Sequence, residues 1–314
     1  MKTKVKKALI TGCEGFIGSY LAELLVEQGV RVYGLVYQDT GNLDHLKGKI
    51  DIIKCDIASE ATVQSLLAEV KPDYIFHLAA QSLLTESWRG PAKTFTINTL
   101  GTISLLEGVR KAAIDPFILI TGSSDEYKGN SANGAPLKET DELGPNSPYG
   151  VSKLAADMLG YAYWKNYGLK VVRVRPFAII GPRKTGDACS DFARGISEIE
   201  AGKREYLSVG NLEATRDFLD VRDAVSAMWL LAERGVPGEV YNICAGQGRS
   251  MKELLDMMIS ISAKFIEIRA DPERLRAADK AVLLGDCSKL NELGWKPQVQ
   301  IRKTISEILN YWRE

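Results

Sequence analysis

The chain has 314 residues, enough for a large domain or two, and its 45% hydrophobic and 25% charged content is that of an ordinary globular protein. Lys and Arg number 40 against 40 Asp and Glu, so no net basic field points to nucleic acid or to an anionic membrane as a partner. Five dispersed cysteines with no Cys-x-x-Cys pair, and only two histidines, argue against a disulfide framework, a zinc site or a histidine-based triad.

The basic start Met1–Lys7 runs straight into a short strand-like stretch instead of a signal-peptide core, and no apolar run reaches membrane-spanning length, so a cytoplasmic protein is expected. Lys7–Thr11 reads as a buried strand. Gly12, Gly15 and Gly18 follow at once, and then a helix runs from Ser19 to Gln28. Glycines between a strand and a helix N-terminus let backbone approach a pyrophosphate, and the free N–H groups favour the anion. Gly12, Gly15, Phe16, Ile17 and Gly18 are therefore the candidate dinucleotide cradle. The second strand, Arg31–Val36, ends in Tyr37-Gln38 with Asp39 too late for the ribose. Neither an acid for NAD nor an arginine for NADP stands at its end, which leaves the choice open. A third strand runs to Asp56 and Ile57. A fourth, from Tyr74, carries His77 as a core histidine and runs into the small residues after Leu78, which let backbone lie against a cofactor.

The fifth strand, Pro116–Thr121, leads into Gly122-Ser123-Ser124-Asp125-Glu126. Because ligands sit beyond the carboxyl ends of parallel strands, Ser124, Asp125 and Glu126 share the mouth of the glycine loop. On the next helix Tyr149 and Lys153 are four residues apart and project from one face. An ammonium beside a phenol favours the phenolate, which predicts a lowered Tyr149 pKa and a group able to exchange protons near neutrality. The same spacing recurs at Tyr161 and Lys165, where nothing else supports a site. Strand–helix alternation continues through Arg175, which predicts an α/β fold with a doubly wound parallel sheet. A smaller interleaved substrate domain follows. The expected division is 1–176 plus about 217–245 for the dinucleotide and about 177–216 plus 246–314 for the substrate. Arg183, Arg216 and Arg276 are candidates for a diphosphate, since guanidinium forks match phosphate oxygens.

The Gly-x-x-Gly-x-x-Gly spacing, Ser124, the Tyr149/Lys153 pair, His77–Ser82, Val209–Asp223 and Gly294-Trp295-Lys296-Pro297 together resemble the extended short-chain dehydrogenases/reductases of the epimerase/dehydratase group. Within it the likeness is to the enzymes of GDP-mannose conversion. The compact length and Asp271–Arg276 look more like their 4-keto reductases than their 4,6-dehydratases. The resemblance implies NADP or NAD as cofactor, with contacts from Asp56, Ile57, Leu78, Ala79, Ala80, Tyr149 and Lys153. It also implies a GDP-linked sugar contacted by Gln81, a site-shaping role for Asn98, and a homodimer through the helices of Asn98 and Tyr149. As a reductase, the protein would use Tyr149 to protonate the C4 oxygen held by Ser124. As a dehydratase, it would use Glu126 to take the C5 proton, with Asp125 beside it. A cofactor-binding partner without turnover is the alternative from another class.

Overall fold

The computed structural model describes residues 5–129, 134–272 and 281–314. In chain order, β1 (Lys7–Thr11), α1 (Phe16–Glu27), β2 (Arg31–Val36), β3 (Asp51–Lys54), α2 (Glu60–Val70) and β4 (Tyr74–His77) open the fold. Two short helices, α3 (Leu84–Arg89) and α4 (Pro91–Phe95), a π-helical turn (Thr96–Leu100) and α5 (Gly101–Lys111) lead to β5 (Phe117–Thr121). Then come α6 (Pro148–Tyr167), β6 (Lys170–Pro176), β7 (Ala178–Ile180), α7 (Ala188–Glu200), β8 (Tyr206–Val209), β9 (Thr215–Asp220) and α8 (Val221–Arg234). The chain finishes with β10 (Val240–Ile243), β11 (Gly248–Ser250), α9 (Met251–Ser260), β12 (Glu267–Ala270), β13 (Val282–Leu283), α10 (Ser288–Asn291) and α11 (Ile301–Arg313).

Seven parallel strands form the main sheet in the order β10-β6-β5-β4-β1-β2-β3. Strand order reverses between β1 and β4, and a crevice for ligand opens at such a switch point beyond the strand ends. The sheet is covered on both faces. Leu21, Leu25, Met228 and Leu231 of α1 and α8 close one side, and Leu67, Leu105, Leu106 and Val109 of α2 and α5 close the other. This two-sided burial is why the strands read as nearly continuous apolar runs.

A second, smaller layer holds β7, β9, β11 and β13 in one sheet and β8 with β12 in another, packed on α7, α9 and α11. Among the described residues, strand β9 pairs with β7, β11 and β13 of this layer, whereas the sequence division places residues from about 217 onward with the dinucleotide half. Its alternating Arg-Asp pattern gave no sign of which sheet it would join. The handover to the main sheet comes at α8 and β10, where β10 pairs with β6.

Candidate active site

The glycine loop is shaped by contact with β4. Gly12 has φ +66°, and a Cβ there would lie 2.8 Å from the Cα of Ala79, so only glycine brings the two strand ends together. Thr11 fastens the same junction, its hydroxyl accepting the N–H groups of Leu78 and Ala79 at 3.1 Å each. Helix α1 starts at Gly15 with no side-chain cap, which leaves its first N–H groups available to a phosphate. Phe16 and Ile17 form the first turn, half-buried, with the Phe16 ring against Gly181. Leu78, Ala79 and Ala80 line the other side of the junction and are half-exposed. Asp56 is exposed just past β3, where one oxygen takes the N–H of Ala58 at 2.9 Å. Ile57 packs under Gly101.

His77 is a satisfied core residue, as expected. Its ring bridges the hydroxyls of Thr11 (2.9 Å) and Thr102 (3.0 Å), and Thr102 donates to the carbonyl of Asn98 at 2.6 Å. Because the Thr11 oxygen already accepts two N–H groups, its own proton goes to Nδ1 and the imidazole carries its proton on Nε2. Burial, with Lys153 nearby, pushes His77 down to about 3, so the ring is neutral. Asn98 sits on the π-helical turn and ties Gln81 to α6: its amide donates to the Gln81 carbonyl (3.1 Å) and to Ser152 (2.9 Å) and accepts the Gln81 N–H (2.8 Å).

Helix α6 is launched by Ser147, which caps the Gly150 N–H at 3.0 Å, with Pro148 in its first turn. Glycine at 150 matters because a Cβ there would sit 2.8 Å from the Asp125 carbonyl, so its absence lets α6 close onto the end of β5. Tyr149 is thereby placed against the one-turn 3-10 helix Ser124–Glu126.

Here the structure adds to the sequence reading at three points. The side chain of Ser123, next to Ser124 in the same turn, bears on the Tyr149 phenol. Ser123 is the cap of the 3-10 turn: its oxygen accepts the Asp125 N–H at 3.1 Å, and Glu126 returns the bond to the Ser123 N–H at 2.7 Å. That Ser-x-x-Glu capping box is readable in the sequence. Second, Glu126 is wholly buried, with one oxygen on the Ser123 N–H and the other on the Arg175 Nε at 2.9 Å. The same Arg175 nitrogen reaches Asp157 at 3.0 Å, and Asp157 takes Arg173 at 2.6 Å. Burial and the adjacent Asp157 push the Glu126 carboxyl above its usual range despite Arg175. Glu126 thus anchors the turn, and half-exposed Asp125 is the acid left in the mouth.

Third, the Tyr149 phenol is not pulled down toward neutrality. Burial and then the Asp125 carboxylate push it up, and the Ser123 hydrogen bond opposes without prevailing. Lys153 is buried behind it, in the field of Glu126 and Asp157, with burial holding its pKa down to about 8.

The candidate substrate contacts divide. The Gln81 side chain is spent within its own loop, accepting the Leu83 N–H at 2.5 Å and donating to Leu83 and Thr94 at 3.1 Å. Arg183, at φ +71°, is docked on α1 by Glu23 (2.6 Å) and by stacking 4.3 Å over Tyr20. Arg216 lies on β9 in register with Arg249 of β11, a residue the sequence reading passed over. Arg276 lies outside the described residues.

The family described as GDP-mannose 4,6 dehydratase matches residues 9–308. Among curated relatives, a GDP-6-deoxy-D-mannose reductase of Pseudomonas aeruginosa is 32% identical over 98% of this chain and 97% of its own. A GDP-mannose 4,6-dehydratase of Vibrio cholerae is 29% identical over 97% and 92%. Among solved structures, RMD from Pseudomonas aeruginosa complexed with NADPH superposes with a TM-score of 0.87 at 31% identity, covering 98% of this chain and 99% of that one. A Thermus thermophilus UDP-glucose 4-epimerase in complex with NAD gives 0.89 at 26%, over 98% and 99%. With its glycine cradle, its seven-stranded sheet and a match along nearly its whole length, the chain belongs to the GDP-mannose 4,6-dehydratase family of extended short-chain dehydrogenases/reductases.

Proposed function

We propose that the protein is an NAD(P)H-dependent reductase that converts GDP-4-keto-6-deoxy-mannose to GDP-rhamnose. The observation that carries this reading is the seating of Tyr149, through Gly150, against the Ser123–Glu126 turn at the end of β5, with Glu126 bonded to Arg175. The glycine cradle, the uncapped N-terminus of α1 and the Thr11 junction fit a dinucleotide. Once bound in reduced form, such a cofactor supplies the hydride for C4. Tyr149 gives its proton to the C4 oxygen, Ser123 holds that oxygen, and Lys153 binds the ribose next to the nicotinamide. Arg216 and Arg249 are the residues we assign to the diphosphate.

Asp125 supports one further reading, a 4,6-dehydratase in which Asp125, in place of Glu126, takes the C5 proton. Two assays on the purified protein separate the readings. Consumption of NADH or NADPH with the keto sugar, and no reaction with GDP-mannose plus oxidised cofactor, supports the reductase. Keto-sugar formation from GDP-mannose without net reduction overturns it in favour of the dehydratase. Cofactor binding with no turnover in either assay leaves a non-catalytic partner.

We also assign a cytoplasmic homodimer. Leu100, Val151, Met158 and Tyr161 are 40 to 51% exposed on the turn before α5 and along α6, apolar surface that a second copy would cover. All five cysteines are unpaired, and no described helix is long and apolar enough to cross a membrane.

A further inference from the structure

Glu14, inside the glycine loop, is the hub that fastens the loop after β2. Its carboxylate Oε1 accepts the N–H of Tyr37 at 2.7 Å and that of Gln38 at 3.5 Å. Its backbone carbonyl takes the Thr40 hydroxyl at 2.7 Å and the Asn42 amide at 3.0 Å. The second carboxylate oxygen, Oε2, is buried and has no hydrogen-bond partner, although the residue as a whole is only 8% exposed. A buried, unpartnered carboxylate oxygen is costly, and a hydroxyl donor would satisfy it.

Its place decides which donor. Tyr37 is the first residue past β2, and in a doubly wound sheet the adenosine ribose lies over that strand end, beside the glycine loop. There an acid hydrogen-bonds the ribose 2′-hydroxyl, and a cation is needed if a 2′-phosphate is to be accommodated. The segment after β2, Tyr37-Gln38-Asp39-Thr40-Gly41-Asn42, contains no cation. Asp39 is turned into its own loop, where it takes the Gly41 N–H at 2.9 Å, so it does not serve as the strand-end acid. Lys47 is paired with Asp44 at 2.7 Å, and Arg31 is bound to Asp51 at the opposite end of the strand. Lys54 lies one strand further out, on the sheet-edge strand β3.

We propose that Glu14 supplies the strand-end carboxylate from the glycine loop, accepts the adenosine 2′-hydroxyl on Oε2, and selects NAD(H) against NADP(H). This rests on the dinucleotide reading above and departs from the relative solved with NADPH.

Equilibrium titration of the purified protein with NADH, NADPH, ADP-ribose and 2′-phospho-ADP-ribose tests it without turnover. The expected result is binding at least about tenfold tighter for each ligand lacking the 2′-phosphate, since a hydrogen bond to a charged group is worth roughly that factor. In Glu14→Gln the amide oxygen still accepts the Tyr37 N–H, and the preference should shrink about tenfold. Gln38→Arg, at an exposed position, should tighten the phosphorylated ligands selectively. Equal or tighter binding of the phosphorylated ligands by the natural chain overturns the inference and leaves the dinucleotide site standing. Equal losses for both classes in Glu14→Gln reduce Glu14 to a loop clamp and likewise overturn it. Failure of all four ligands to bind overturns the dinucleotide reading and the inference together.

Discussion

The two ends of α6 carry the same Tyr-x-x-x-Lys spacing in opposite surroundings. At the N-terminal end, Tyr149 meets Ser123 and Asp125, and Lys153, one turn on, is buried. Twelve residues on, Tyr161 is 41% exposed, with its ring 5.5 Å from Trp164 and the Arg173 guanidinium 5.2 Å from its centre. Lys165 lies over Trp164 at 5.8 Å and is exposed. Both pairs share a helix face by the same geometry, so spacing creates the pair and the neighbouring strand end creates the chemistry. The first turn of α6 docks on the end of β5 through Gly150; the second pair faces outward past the sheet.

Substitutions at the two ends should separate sharply. Tyr149→Phe removes the only proton donor proposed for the C4 oxygen and should lower kcat by about 10²–10⁴ in the keto-sugar assay, whereas Tyr161→Phe should stay within about twofold. Behind the active end lies the buried set Glu126, Asp157 and Arg175, which Arg173 links to the Tyr161 ring. Glu126→Ala leaves Arg175 short of a partner and should lower the unfolding free energy by about 3–5 kcal/mol in a denaturant titration. Within the 3-10 turn, Ser123→Ala should cost about 10² in kcat, as for loss of one donor to a reacting oxygen, and Ser124→Ala should cost about twofold at most. Equal effects of the two serine changes would contradict the assignment of Ser123.

The smallest expected contrast is in pH. Lys153 loses its proton as pH rises through about 8, so kcat/KM for the cofactor should fall above that pH. Lys165→Met should leave this profile unchanged. The sign on stability is opposite. A base whose folded-state pKa is depressed costs stability while charged, and that cost is relieved between about pH 8 and the free lysine value of 10.5. Thermal unfolding of the natural chain and of Lys153→Met across this range should therefore converge as pH rises.

What could be read from sequence followed the reach of the interactions. The strand, glycines and helix of residues 7–28 are fixed by neighbours a few positions away, and so are Tyr149 and Lys153. The Ser123–Glu126 capping box is legible as Ser-x-x-Glu three residues apart. The fate of Glu126 turned on Arg175, 49 residues later, and that of Arg183 on α1, whose Ser19 it reaches across 164 residues. The alternating Val and Arg of β6 look like a half-exposed strand, yet Arg173 and Arg175 are 6% and 2% exposed because Asp157 on α6 pairs with both and Glu126 pairs with Arg175. Long-range charge pairing of this kind leaves no periodic mark.

The central claim, a reductase that protonates the C4 oxygen through Tyr149, is tested most directly by isotope. Turnover of the keto sugar with reduced cofactor deuterated at the nicotinamide C4 should place one deuterium at C4 of the sugar for each cofactor consumed, read by NMR, and Tyr149→Phe should slow the transfer by about 10²–10⁴. Conversion of GDP-mannose to a keto sugar that carries no cofactor deuterium, with no net cofactor consumed, would contradict the account and make Asp125 the acid that matters.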